Sequence, residues 1–171
     1  MLLQPDESWH DVCDIDLDAL RRQGIIGILL DLDNTLLPRD TNVVPDRMAE
    51  WVDVVKRHDM AVCFLSNNWH ERVCAVAREL GYPVVAKAVK PLPFAFWRAL
   101  GVLGLPAERC AVVGDQLFTD VLGGNLVGCH TILVDPLSST DLPHTLVLRR
   151  LESLIMGRSR RGRALGGERR S

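Results

Sequence analysis

The sequence lacks the features that would place a chain in a membrane or a secretory pathway. No apolar run among its 171 residues approaches the length of about 20 that a transmembrane helix needs. The first residues have neither the basic start nor the long apolar core of a signal peptide. A net charge of −2 gives no strong overall attraction toward nucleic acid, so no nucleic-acid partner is expected. These absences predict a soluble cytoplasmic protein and leave peripheral membrane contact open.

Two further absences concern cysteine chemistry and nucleotide binding. The five cysteines form no CxxC pair and are interpreted as reduced core thiols, with a metal role as the alternative. The stretch Gly123-Gly124-Asn125 lacks the lysine of a GxxxxGK[ST] loop, which excludes a P-loop kinase or GTPase.

Repeats and internal linkers are also missing, so residues 1–156 are predicted to form one domain. Residues 157–171 differ, because they hold six arginines, four glycines and little apolar content. We predict a disordered basic tail, which is either simply solvated or in contact with an anionic surface.

Short apolar segments alternate with amphipathic helical segments along the chain. The apolar runs predict strands at 25–30, 60–65, 84–86, 110–113 and 131–134. Helical spacing predicts helices at 16–23, 46–58, 73–80, 92–103, 119–127 and 146–156, with Gly123-Gly124 loosening the fifth. Trp51 and Trp97 lie on apolar helical faces and are predicted to be core residues. The alternation indicates an α/β fold, a Rossmann-like three-layer α/β/α parallel sheet.

Polar side chains follow the predicted strands at their carboxyl ends. They are Asp31 and Asp33, Ser66 and Asn67, Lys90, and Asp115 with Asp120. In a parallel sheet these ends share one edge, so the side chains should converge on one crevice. Strand alternation puts Asp31 and Asp33 on the same side, with Leu32 turned away.

The acids at this edge suit a hard cation such as Mg²⁺, which prefers oxygen ligands. The lysine and hydroxyl suit phosphate oxygens, so the predicted chemistry is phosphoryl transfer. Each residue also has a purely structural interpretation. Ser66 could cap the helix that follows it, and Lys90 could be an exposed lysine. All of these interpretations together would require a coincidence of order and position.

The motif Asp31-Leu32-Asp33-Asn34-Thr35 resembles the first motif of the haloacid dehalogenase (HAD) superfamily. Ser66-Asn67-Asn68, Lys90-Pro91 and the stretch from Gly114 to Asp120 resemble its second, third and fourth motifs, in the expected order. The residues around these motifs are similar to those of the YqeG-type HAD phosphatases of class IIIA. The fungal mitochondrial relatives of that group are phosphatidylglycerophosphate phosphatases. One departure is Leu126, where the resemblance leads us to expect an arginine.

The resemblance implies a role for each matching residue. Asp31 would attack phosphorus with a carboxylate of ordinary pKa, and Asp33 would act as general acid and then base. Ser66 and Lys90 would bind the phosphoryl group, with Asn67 lining the edge through its backbone.

Three further roles follow from the resemblance. Thr35 would hold the loop or orient Asp33, and it is a candidate substrate-binding residue. Asp31, Asp115 and the carbonyl of Asp33 would bind Mg²⁺. Asp120 would act through water or by positioning Lys90.

The spacing of the motifs leaves no room for a substantial cap domain. An uncovered site admits bulky substrates, and a phospholipid headgroup such as phosphatidylglycerophosphate is compatible with it. The alternatives are a phosphatase of soluble sugar phosphates, nucleotides or phosphoproteins, and a non-catalytic module that binds phosphate or metal. Trp69, His70, Arg149 and Arg150 are interpreted either as substrate contacts or as ordinary helix residues.

Overall fold

A computed structural model of the chain describes residues 1–38, 41, 43–68 and 71–137. Within them one parallel sheet contains six strands in the order β1-β6-β5-β2-β3-β4. The strands are β1 (Glu7–Trp9), β2 (Gly27–Leu30), β3 (Ala61–Leu65), β4 (Val84–Val85), β5 (Cys110–Gly114) and β6 (His130–Val134). The helices are α1 (Leu17–Arg22), α2 (Asp46–Arg57), α3 (Glu71–Leu80), α4 (Pro93–Leu103) and α5 (Leu122–Val127). The predicted α/β fold with a parallel sheet is confirmed.

The sheet has an apolar core on each of its two faces, as its buried strands require. β2 lies between β3 and β5, and all four of its residues are buried. Ile28 and Leu30 pack with apolar residues of α1, α2 and α3, including the predicted core residue Trp51. Leu29 points to the opposite face, where it packs with Phe96 and other residues of α4. The three-layer arrangement follows directly from this alternation along β2.

The prediction that Trp97 is a core residue is wrong. Its side chain is 61% exposed, whereas Phe96 beside it is fully buried. α4 is apolar on both its inner and its outer face, so apolar spacing alone does not distinguish the residues that face the sheet. Phe96 and Leu100 mark the inner face, and Trp97 lies on the outer one.

The pair Gly123-Gly124 serves close packing and does not loosen α5. A Cβ at Gly123 would collide with the ring of Phe96, and one at Gly124 would lie 2.7 Å from Cγ2 of Thr131. Both glycines are buried, so they let α5 approach α4 and the sheet closely. The predicted helix 119–127 begins as a π-helical turn at Leu117–Val121, before α5 itself starts.

The five cysteines are free thiols. Cys63, Cys110 and Cys129 are buried, and Cys13 and Cys74 are half-buried. Burial raises the pKa of the Cys129 thiol to about 12, which keeps it protonated and unreactive.

No helix in the described part of the chain has the length and apolarity needed to span a bilayer. The predicted helix 146–156, the tail 157–171, and Trp69, His70, Arg149 and Arg150 lie outside the described residues.

Candidate active site

The predicted site residues meet at the carboxyl edge of the sheet. Asp31 follows β2, Ser66 follows β3, and Asp115 follows β5. Lys90 lies in the loop between β4 and α4, and Asp120 lies in the π-helical turn after β5. These five polar side chains are buried, with Asp120 only 1% exposed. Buried charges are costly unless they are paired, so their partners define the site.

Asp31 continues the ladder of β2 and is held on two sides. Its backbone N–H donates to the carbonyl of Val113, 2.8 Å away, which fixes the residue to the end of β5. One carboxylate oxygen accepts a bond of 2.5 Å from Lys90 Nζ. The other accepts a bond of 3.1 Å from the Thr35 hydroxyl. Leu32 turns into the core, as the alternation predicts.

Lys90 connects three parts of the edge through its ammonium group. Nζ donates to Asp31, to Asp120 Oδ1 at 2.6 Å, and to the carbonyl of Leu65 at 3.2 Å. All three of its donors are therefore used. The backbone of Lys90 is held as well, because Asn67 accepts from its N–H at 2.6 Å and donates to its carbonyl at 3.3 Å.

Asp120 is placed by its neighbours so that it faces Lys90. Its second carboxylate oxygen accepts from the N–H of Gln116 at 3.2 Å. A Cβ at Gly114 would collide with the Asp120 carboxylate, so the glycine at the end of β5 makes room for this side chain. Asp120 was expected to act through water or by positioning Lys90, and its role stays a prediction.

Asp33 has a different environment from Asp31, although only one residue separates them. Its carboxylate accepts a bond of 2.7 Å from the Ser66 hydroxyl, and the residue is partly exposed. Ser66 Oγ in turn accepts from the N–H of Asn68 at 3.0 Å. One carboxylate is thus buried against an ammonium group, and the other lies at the mouth of the site on a hydroxyl.

The electrostatic balance of the site is negative. Asp31, Asp115 and Asp120 carry three negative charges when ionised, against one positive charge on Lys90. Burial raises the pKa of Asp31 well above the ordinary value; Lys90 opposes this, and Asp120 and Asp115 add to it. Burial disfavours the charged form of Lys90, but Asp120 and Asp31 outweigh it and raise the pKa of the lysine. The expectation that Asp31 has an ordinary pKa is wrong for the protein without a bound cation.

A divalent cation fits this surplus of negative charge. Oxygen atoms of Asp31, Asp115 and Asp120 lie within 4.8 Å of one another. They are hard ligands of the kind that Mg²⁺ prefers, and two positive charges would balance the two uncompensated negative ones. Both oxygens of Asp31 and both oxygens of Asp120 already accept hydrogen bonds, so these contacts do not rank the three acids as ligands. The ligand expected from Asp33 is its backbone carbonyl, and the Asp33 carboxylate is not one of these three.

Three contacts differ from the sequence-based interpretation or were missed by it. Thr35 bonds to Asp31, whereas we expected it either to hold the loop or to orient Asp33. Asn67 acts through its side chain on Lys90, whereas we expected a role through its backbone. Asn34, not singled out before, is fully buried and its Nδ2 lies 3.4 Å from Asp115 Oδ2. The position of Asn34 inside the first motif, between Asp33 and Thr35, was the available signal.

Leu126, where the resemblance led us to expect an arginine, lies away from this edge. It is in the last turn of α5, and the chain then enters β6 at His130, which pairs with Ala111 near the amino end of β5. Leu126 is therefore near the opposite edge of the sheet, and its side chain is 45% exposed.

The fold and the set of acids with one lysine define a class, the hydrolases of HAD type. The HAD-hydrolase-like family matches residues 88–141 of the chain. The phosphatase YrbI of Haemophilus influenzae, solved in a cobalt-bound form, has the same fold, with a TM-score of 0.54 and 14% identity over 79% of this chain and 89% of that one.

Two sequence relatives narrow the class. The chain is 41% identical to the probable phosphatase YqeG of Bacillus subtilis, over 92% of this chain and 91% of that protein. It is 30% identical to phosphatidylglycerophosphate phosphatase 1 of Arabidopsis thaliana, over 90% of this chain but only 47% of that longer protein. The chain therefore belongs to the YqeG-type family of HAD phosphatases, and the resemblance in its motifs is confirmed.

Proposed function

We propose that the protein is a Mg²⁺-dependent phosphomonoesterase that works through a phosphate ester on Asp31. The observation that supports this best is the division between two neighbouring carboxylates. Asp31 is buried against Lys90 and Thr35, and Asp33 is partly exposed on Ser66. Two acids in such different environments suit two different roles, nucleophile and proton carrier.

The chemistry proceeds in two displacements. A carboxylate oxygen of Asp31 attacks phosphorus, the bond from phosphorus to the ester oxygen breaks, and Asp33 gives its proton to the leaving alcohol. Asp33 then takes a proton from water, which attacks the phosphate on Asp31, so that inorganic phosphate leaves and Asp31 is restored. In both steps Ser66 and Lys90 would each turn a donor from its present acceptor to the equatorial oxygens.

Asp31 and Asp115 would hold Mg²⁺, and Asp120 would keep Lys90 in position. When bound, the cation supplies positive charge for the phosphoryl oxygens and keeps Asp31 ionised. Asn67 would fix the backbone from which Lys90 reaches the site.

For the substrate, we propose the phosphate of a phospholipid headgroup such as phosphatidylglycerophosphate. The name of the Arabidopsis relative supports this class of substrate. Openness supports it too, since the described residues between Asp33 and Ser66 form only a loop, α2 and β3, and those between Ser66 and Lys90 only α3, β4 and their loops. Such a site admits a headgroup that stays attached to its lipid.

The enzymatic part is tested with Asp31→Asn. Phosphate release from an aryl phosphate in the presence of Mg²⁺ should fall at least about a thousandfold, because the amide is not a nucleophile. Asp53→Asn, an exposed position on α2, is the matched control and should keep full activity. Full activity in Asp31→Asn would contradict the mechanism. Binding of Mg²⁺ without any turnover in the wild type would identify a non-catalytic module instead.

The substrate is tested by comparing kcat/KM for phosphatidylglycerophosphate in mixed micelles with that for soluble sugar phosphates, nucleotides and a phosphopeptide. We expect the lipid to be preferred by at least about a hundredfold, an ordinary margin for a specific enzyme. A soluble compound that is turned over more efficiently would overturn the lipid assignment and leave the mechanism intact.

A further inference from the structure

Four exposed apolar side chains lie next to Lys90 in the sequence, in the loop before α4 and on α4 itself. Val89 and Leu92 flank the Lys90-Pro91 pair and are 54% and 48% exposed. Phe94 and Trp97, in the first turns of α4, are 52% and 61% exposed. We call these four residues the apolar rim. Large apolar side chains grouped at a functional edge indicate a surface that contacts something.

The apolar rim is separate from the core that α4 helps to build. The inner face of the helix is buried through Ala95, Phe96, Ala99 and Leu100, which pack against β2, β3 and β5. A helix that is apolar all round is normally covered on both sides. We therefore expect the outer face of α4 to contact a second apolar surface.

The backbone just before α4 contains an unfavourable conformation. Val89 has a φ of +52°, a left-handed conformation that is unfavourable for a β-branched residue. The loop is fixed in place because the N–H of Ala88 donates to the carbonyl of Ser66 at 3.0 Å. Backbone strain of this kind persists where the surrounding structure enforces it, often for function.

The exposed charged residues that are close to the apolar rim in sequence have one sign. The sequence contains no acidic residue between Glu79 and Glu108, whereas Lys87 and Arg98 in this interval are both exposed. A partner that is apolar below and anionic at its surface matches this pattern, and an anionic phospholipid bilayer has both properties. A second copy of the chain fits less well, because it would bring the same cationic residues together.

We propose that the apolar rim docks the protein on the surface of an anionic phospholipid bilayer. Trp97 and Phe94 enter the interfacial region, where amphipathic aromatic rings are favoured, and Lys87 and Arg98 meet the headgroups. Lys90 and Asp31 then face the level at which headgroup phosphates lie. This inference rests on the proposed action on lipid headgroups and names how the site reaches them.

The experiment measures co-sedimentation of the full chain with vesicles of phosphatidylcholine containing phosphatidylglycerol, and with phosphatidylcholine alone. In Phe94→Ser/Trp97→Ser, the apparent partition coefficient on the anionic vesicles should fall at least about tenfold, because two buried aromatic side chains are lost. Val102→Ser is the matched control, since it is 50% exposed on the same helix but at its far end. It should bind within about twofold of the wild type.

The electrostatic part has its own variant. Lys87→Gln and Arg98→Gln should each weaken binding about fivefold on anionic vesicles and leave binding to neutral ones unchanged. Thermal unfolding of every variant checks that it is folded, and the single variant Trp97→Gln replaces the double one if that fails to fold. The basic tail is present in all chains, so its contribution cancels.

Unchanged vesicle binding of the folded aromatic variants would overturn the proposal. So would a sedimentation-velocity result in which the wild type is a dimer and the aromatic variant a monomer with equal vesicle binding, because the apolar rim would then join two copies. Aryl phosphate turnover, which needs no membrane, should be the same in wild type and rim variants. Its absence in all of them would count against the proposed function alone and would leave the vesicle result standing.

Discussion

The two edges of the sheet are built on different principles. At the carboxyl edge, charged side chains are buried, and among the described residues Asn34, Lys87 and Val89 have positive φ without being glycine. At the amino edge, each helix returns to a strand through one residue in the left-handed conformation. These residues are Gly24, Asp59, Gly81, Gly104 and Gly128. Four of the five are glycine, for which this conformation is unstrained.

The difference shows where the chain accepts unfavourable local structure. The amino edge follows the rules of helix termination, and it could be exchanged for other good turns without consequence for chemistry. The carboxyl edge breaks local rules in its backbone and in its buried charges. Departures of this kind are expected where a protein holds functional groups in place.

The largest expected effect comes from removing the cation at the carboxyl edge. Lys90→Met would leave Asp31 and Asp120 buried and facing each other, so the free energy of unfolding should fall by about 3–5 kcal/mol. Activity on an aryl phosphate should fall at least about a hundredfold, because a donor to the phosphoryl group is lost. Urea denaturation and steady-state kinetics measure the two effects.

Lys56→Met, an exposed lysine on α2, is the control for that substitution and should change the free energy of unfolding by less than about 0.5 kcal/mol. If the two variants were equally stable, the buried ion pairs would not distinguish this edge from the rest of the molecule.

An intermediate effect is expected at the end of β5. In Gly114→Ala the new methyl group would displace the Asp120 carboxylate from Lys90, and we expect a loss of about 1–3 kcal/mol in stability together with reduced kcat. Gly101→Ala, at an exposed position of α4, is the matched change, since a Cβ there meets nothing within 4 Å. It should stabilise the fold by about 0.5–1 kcal/mol, because alanine favours helix. Thermal denaturation and activity assays of both variants test the contrast, which fails if Gly114→Ala is also stabilising.

The smallest expected effects come from the left-handed residues. Asp59→Gly should stabilise the protein by about 0.5–1 kcal/mol and leave activity unchanged, since it completes the glycine pattern of the amino edge. Val89→Gly should stabilise the fold by a similar or larger amount but weaken vesicle binding, because it removes one side chain of the apolar rim. Urea denaturation and co-sedimentation of both variants separate the two edges. Weaker vesicle binding in Asp59→Gly would contradict the expected difference between the two edges.

The sequence predicts most of the sheet and the convergence of its polar residues. Continuous apolar runs identify β2, β3, β5 and β6, because central strands of a parallel sheet are buried on both faces. Once those strands are parallel, topology alone brings Asp31, Ser66 and Asp115 to one edge. The roles assigned to these residues in catalysis remain predictions.

What the sequence does not predict depends on tertiary contacts. β1 is an edge strand of three residues, Glu7–Trp9. It has no apolar run from which a strand would be predicted, and it forms by pairing with β6. The two hydrogen bonds of Asn67 with the backbone of Lys90 arise only when separate loops meet. The pKa of Asp31 likewise depends on burial, which no local pattern gives.

The ion pairs of Lys90 with Asp31 and Asp120 determine when the site can form during synthesis on the ribosome. Asp31 is synthesised 59 residues before Lys90, and Asp120 emerges 30 residues after Lys90. β2 also lacks its neighbour β5 until that later stretch has appeared. A nascent chain therefore keeps Asp31 in water until nearly the whole sheet can close around it. The site therefore cannot be complete before β5 and Asp120 have been synthesised.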